Sequence, residues 1–308
     1  MNEDEAEVKG MVNSEGETWK RNRRLGAPAF NAVHCDAMLP KIAHVASKLA
    51  KEIKALSRDR EGRILCKPEE WIPRCSLDIL CVTTFGIDFN FLGGDGEAVN
   101  GKSKDVQNTI NGYLEGVSLG LERAAFPLST RNIFPFNLDP AVKNYHKYAK
   151  LLHEHCGDII RARKEDRKLA KSGEKPDLLD KMLALPENDL IGNLSTFLIA
   201  GSDTASVTVS WALYYFCLYP DAQRRARAEV DSMEGIISTT KEDTERLPFL
   251  QCCVLETLRL QPPFGVMALS NTEGYKRRRR RVSRPHVIPP APSEGDVPTR
   301  TWWNIFQA

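Results

Sequence analysis

Residues 189 to 218, DLIGNLSTFLIAGSDTASVTVSWALYYFCL, constrain the fold more than any other stretch. Apolar side chains fall on nearly every helical face. The run therefore reads as one helix about 45 Å long, buried inside a large domain. It is also long enough to span a bilayer. Asp203 near its middle costs about 3 kcal/mol on insertion scales, and no basic flank precedes it, so a core helix is the expectation. Two residues inside are expensive there. An unpartnered buried Asp costs several kcal/mol, roughly. Gly201 in mid-helix costs about 1 kcal/mol relative to Ala. One account is that Gly201 lets a large flat object reach the backbone, while Asp203 and Thr204 set a carboxylate and a hydroxyl beside it. Such a pair holds water and passes protons inward. Helix physics supports a second account equally: Thr204 bonds back to the Ala200 carbonyl, Asp203 is solvated, and the helix kinks.

The rest of the chain is patterned mostly for helices. A short basic helix opens at Glu17 or Thr18 and stops at Gly26 and Pro28. Asp36 is the expected cap of a helix reaching about Ser57. Helices are expected over 69–85, with Gly86 just past the end, and over 103–122. Further helices are expected over 141–171, 177–185, 220–233 and 247–260. Gly93, Gly94 and Gly96 mark a turn, and 126–140 reads as a loop. Strand signals are scarce: Ile64-Leu65 and Thr301 to Phe306.

Composition excludes several classes. The 308 residues are 42% hydrophobic and 27% charged, as in a soluble globular chain. The net charge of +2 argues against nucleic-acid binding by the whole chain. Residues 273–308 alone carry +5, including six consecutive cations from Lys276 to Arg281, against −3 for residues 1–272. The acidic N-terminal residues contain no apolar run that would serve as a signal peptide or anchor. Eight cysteines show no metal or redox spacing, and reduced thiols are the expectation.

Two shorter motifs stand apart. Glu256 and Arg259 lie three apart on one helical face, within ion-pair reach. Val254, Leu255, Leu258 and Leu260 surround them, so partial burial with a third partner is expected. Trp19 and Arg23 lie four apart on the N-terminal helix. An indole that packs and a guanidinium that binds carboxylate suit a flat anionic cofactor, while an exposed cation–π pair is the plainer account.

In order and spacing the three motifs resemble those of the cytochrome P450 haem-thiolate monooxygenases. TWKRNRRLGAPAFN, DLLDKMLAL and YPDAQRRARAEVD are similar to that family as well, and the resemblance runs from about residue 14 to 270. Ala205 departs from the usual Thr or Ser. The resemblance implies a mainly α domain with a minor β component over residues 1–272, incomplete, followed by a divergent basic, Pro-rich tail at 273–308. It implies haem as cofactor, with Trp19 and Arg23 on a propionate. Ala200 and Gly201 would then lie along the haem, Asp203 and Thr204 on its oxygen-binding side, and Glu256–Arg259 would be a structural ion pair. It further implies O2 and a small lipophilic substrate, electrons from NADPH-cytochrome P450 reductase, and the cytosolic face of the endoplasmic reticulum membrane. The expectation is that this chain lacks the anchor that holds a family member there, and is cytoplasmic. The family's iron takes a thiolate axial ligand. No cysteine follows Cys253, and Cys252 and Cys253 stand in the ion-pair helix, so no metal ligand is assigned. The expectation is a monooxygenase by family that is inactive as this chain, with a non-catalytic helical fragment or partner-binding remnant as the alternative. No nucleic-acid partner is expected. The run at 276–281 is read as an insertion into the family's pattern.

Overall fold

The computed structural model describes residues 8, 10–12, 14–56, 58, 62, 66–96, 105–115, 140–169, 177–233 and 240–263. Its helices are α1 (Gly16–Gly26), α2 (Ala32–Ala55), α3 (Pro68–Thr84), α4 (105–115), α5 (Pro140–Leu169) and α6 (Leu178–Met182). They continue with α7 (Glu187–Leu218), α8 (Pro220–Asp231), α9 (Lys241–Glu245) and α10 (Pro248–Leu260). Short 3-10 turns lie at Ala27–Phe30 and Phe91–Gly96. The described chain is mainly α, with an isolated bridge residue at Arg58 and no strand among the described residues. Ile64-Leu65, Thr301 to Phe306, the loop at 126–139 and the tail from 264 onward lie outside them.

The long helix α7 is the axis of the packing, touched by α3, α5, α8 and α10. Three ladders at helical i, i+4 spacing interlock around it: Leu77, Cys81 and Phe85; Leu152, Cys156 and Ile160; Leu190, Leu194 and Leu198. Each of these is essentially sealed from solvent. Burying one large side chain of this kind contributes about 1.5–3 kcal/mol. Among the described residues no helix is long and apolar enough to cross a membrane.

The start of α2 differs from the sequence expectation. Asn31, not Asp36, is the cap: its side chain accepts the His34 N–H at 2.9 Å, and the helix begins at Ala32. Asp36 lies inside, one turn before Pro40, whose missing N–H leaves the Asp36 carbonyl without its helical donor.

Two polar clusters fix the helix ends. Asp78 of α3 is 1% exposed, and its carboxylate accepts the N–H groups of Phe91 and Leu92 at 2.9 and 3.0 Å. Arg163 of α5 donates to the Phe85 carbonyl, to Asp177 at 2.7 Å and to Asp180 at 3.1 Å. Arg167 also pairs with Asp180, and Asp177 and Asp180 form a capping box for α6. Gly86, at φ +63°, lies against this cluster, and a Cβ there would stand 2.9 Å from the Asp177 carboxylate.

Candidate functional site

Three contacts hold the N-terminal segment on the first half of α7. Arg21 pairs with Asp189, the Met11 N–H donates to Asn193 Oδ1 at 2.8 Å, and the Phe30 ring lies 5.7 Å from that of Phe197. α10 packs on α7 as well. All three motif-bearing helices thus belong to one assembly around α7.

On α1, Trp19 is 43% exposed and Arg23 is exposed, with no ion-pair partner among the described residues. The neighbouring Asn22 is fully buried, and neither of its side-chain polar atoms meets a partner. Buried amides are nearly always bonded, so Asn22 is a polar group that sequence reasoning passed over. Nothing in the sequence marks it, because burial of one position on a basic helix depends on what packs against it.

In α7, Thr204 Oγ1 donates to the Ala200 carbonyl at 2.7 Å, and Thr208 Oγ1 to the Thr204 carbonyl at 2.9 Å. Ser202 Oγ donates to the Leu198 carbonyl at 2.6 Å and Ser206 Oγ to the Asp203 carbonyl at 2.8 Å. Of the two accounts of Thr204, the structure has the back-bonded one. Asp203 is half-buried rather than freely solvated, with no partner for its carboxylate among the described residues, and burial raises its pKa.

The Cβ side of Gly201 meets a neighbouring helix. A Cβ there would stand 2.7 Å from one Leu80 methyl and 3.1 Å from the other. The close approach that Gly201 permits on its Cβ side is therefore a contact with α3. Ala200 and Ala205 are exposed. The stripe of Ser195, Leu198, Ser202 and Ser206 is buried. The open side of the turn is thus lined by small residues.

The Glu256–Arg259 pair is bidentate, with distances of 2.7 and 2.6 Å, and each lowers the other's tendency to lose its charge. The expected partial burial is corrected: the side chains are 54% and 66% exposed, and no third hydrogen-bond partner occurs among the described residues. Val254, Leu255 and Leu258, the apolar flank from which burial was inferred, are exposed themselves, while Thr257 is the buried residue of α10.

All eight cysteines are free thiols. Burial pushes Cys66, Cys75 and Cys217 up to about 11 and Cys156 up to about 12, and raises Cys81 strongly. Among the described residues no group of His, Cys, Asp and Glu is arranged to hold a metal ion. By chemistry alone, an exposed guanidinium and an exposed indole on α1 suit the carboxylate edge of a flat anionic group.

The chain is 27% identical over 274 residues to Cytochrome P450 4A7 of Oryctolagus cuniculus, covering 82% of this chain and 50% of that protein. It is 25% identical over 269 residues to Cytochrome P450 monooxygenase claW of Ampulloclitocybe clavipes, covering 83% and 49%. The chain thus spans about half the length of the curated relatives it matches. A crystal structure of a cytochrome P450 (CYP102L1) shares the fold with a TM-score of 0.64 at 23% identity, covering 82% of this chain and 56% of that one. The family model for Cytochrome P450 matches residues 2–272, and with that match over most of its length the chain belongs to the cytochrome P450 family.

Proposed function

We propose that this chain supplies the propionate-binding and oxygen-side portion of a haem-dependent monooxygenase, carried by residues 1–272, with 273–308 a divergent tail. The single observation that carries the reading is the unpaired, exposed Arg23 beside Trp19 on a helix held against α7. Arg23 would bind a haem propionate through charge-assisted hydrogen bonds, and Trp19 would pack at its edge. Ala200, with the Gly201 backbone beside it, would face the macrocycle. When bound, haem supplies the chemistry that activates O2 and inserts one oxygen atom into a small lipophilic substrate. Asp203, half-buried with a raised pKa, would hold and release a proton at its carboxylate, and Thr204 would order water beside it. Glu256 and Arg259 would be structural. Electrons would come from NADPH-cytochrome P450 reductase at the cytosolic face of the endoplasmic reticulum membrane. Nucleic acid has no part in this reading.

A second reading rests on the exposed flank of α10: the chain is a non-catalytic helical remnant that binds a partner. Titration with ferric haem separates the two, read by quenching of Trp fluorescence. Arg23→Ala is expected to bind haem about tenfold more weakly, the loss of one charged hydrogen bond, with unchanged circular dichroism. Equal affinity of variant and parent would remove the propionate assignment. No haem uptake by the parent would leave the second reading.

A further inference from the structure

Behind the Asp203–Thr204 turn, α3 makes two specific contacts with α7. Ser76 is 8% exposed, and its hydroxyl donates to the Ser202 carbonyl at 2.9 Å in a buried setting. Leu80, one turn further along α3, fills the notch at Gly201. Helix geometry already gives the Ser202 carbonyl the Ser206 N–H as a donor. The Ser76 bond is therefore an additional one, and it lands on the peptide unit joining Ser202 to Asp203. A second donor on a helical carbonyl fixes the tilt of that peptide plane and, with it, the direction in which the next residue leaves the helix. Ser202 Oγ turns away to the Leu198 carbonyl and does not compete for Ser76.

We propose that Ser76 is a positioning residue: its bond to the Ser202 carbonyl, with Leu80 seated on Gly201, sets from the rear the orientation of Asp203 and Thr204. This rests on the reading of that pair as the proton-handling groups. Ser76 touches neither substrate nor cofactor and acts only through the backbone. Its buried hydroxyl explains why a polar residue is accommodated between Cys75 and Leu77, both in the core. Without the α7 carbonyl, that hydroxyl would be an unpaired polar group in an apolar seam.

The test uses the full, haem-free chain, so that failure of this inference and failure of the haem reading are told apart. Amide hydrogen exchange across α7 and the titration midpoint of the Asp203 carboxyl are measured by NMR for Ser76→Ala, Ser76→Thr and Ser76→Cys. The control is Thr83→Val, whose hydroxyl bonds only within α3, to the Ile79 carbonyl at 2.6 Å and at 3.4 Å to the Leu80 carbonyl. Ser76→Ala is expected to speed exchange at residues 203–206 about tenfold, the equivalent of one net hydrogen bond, and to shift the Asp203 midpoint. Ser76→Thr should restore both. The weak thiol donor of Ser76→Cys should give an intermediate result, and it carries the comparison if the Ala variant does not fold. Exchange at 203–206 and an Asp203 midpoint that match the Thr83→Val control would overturn the proposal. So would a rise spread evenly over α3 and α7.

Discussion

The residue with the most leverage on the α3 end of the molecule is Asp78, a carboxylate sealed among apolar neighbours. It is tolerated because two backbone N–H groups point at it, those of Phe91 and Leu92. Burial pushes its pKa up, while the two N–H groups pull it down only in part. Asp78→Ala is expected to destabilise the fold by about 2 kcal/mol or more, because two buried donors lose their acceptor. Urea unfolding followed by circular dichroism measures this, and an unchanged midpoint would show that the 3-10 turn needs no cap. The sequence held a signal here, a lone charge within SLDILCVTTF, of the same kind that singled out Asp203. The expectation for Asp203 came from that signal. For Asp78 no partner could be named, since its donors lie thirteen and fourteen residues away across a turn. Asn22, Ser76 and Leu80 left no signal at all, because what each one does depends on a helix distant in sequence.

At the scale of elements, periodicity carried most of the fold. The i, i+4 ladders of α3, α5 and α7 are visible as apolar spacing, and those helices form close to where the spacing puts them. The contact between α3 and α7 was the hidden part. Gly201 was read from its cost, which was correct as physics, but its compensation is Leu80 of a neighbouring helix. That leads to a coupling experiment. In Gly201→Ala, helix propensity gains about 1 kcal/mol, but the new methyl crowds Leu80 and offsets the gain, so net stability should barely move. In a Leu80→Ala background the crowding is gone, and the same substitution should stabilise by about 1 kcal/mol. A double-mutant cycle that gives additive effects would mean that Leu80 does not occupy the notch. The same comparison explains the misplaced start of α2. Asp36 precedes an apolar period and looks like a cap, but caps are decided by which side chain can reach a free N–H, and Asn31 does so.

For the whole molecule, burial is set by surfaces that lie opposite one another, and single-helix patterns do not contain them. The Glu256–Arg259 pair looked half-buried because its flank is apolar, and that flank faces outward here. The Arg163 cluster is the converse case. It joins the end of α3, α5 and α6, and no spacing in the sequence announced it. Its pH behaviour can be worked out. Burial tends to raise Asp180, but hydrogen bonds from Arg167, the Asp177 N–H and Arg163, with the Arg163 charge, outweigh it and hold the carboxyl at about 2, against an ordinary 3.8. A depressed carboxyl contributes stability that is fully present above its unfolded value and is lost as pH falls through the folded one. Asp78 and Asp203 are raised and work in the opposite sense, losing stability as pH rises from the ordinary carboxylate value toward their own. Comparing Arg163→Met with the parent cancels those two contributions. The variant should be less stable by about 3 kcal/mol at neutral pH, having stranded buried acceptors. Asp180 retains Arg167 but sits closer to its ordinary value, so the variant has less to lose in acid. The gap between the two proteins should narrow as pH falls from 3.8 toward about 2. Urea midpoints measured across that range decide it: a gap that stays constant would mean that Arg163 does not hold the Asp180 carboxyl in its charged form, and that the junction of the three elements rests on packing alone.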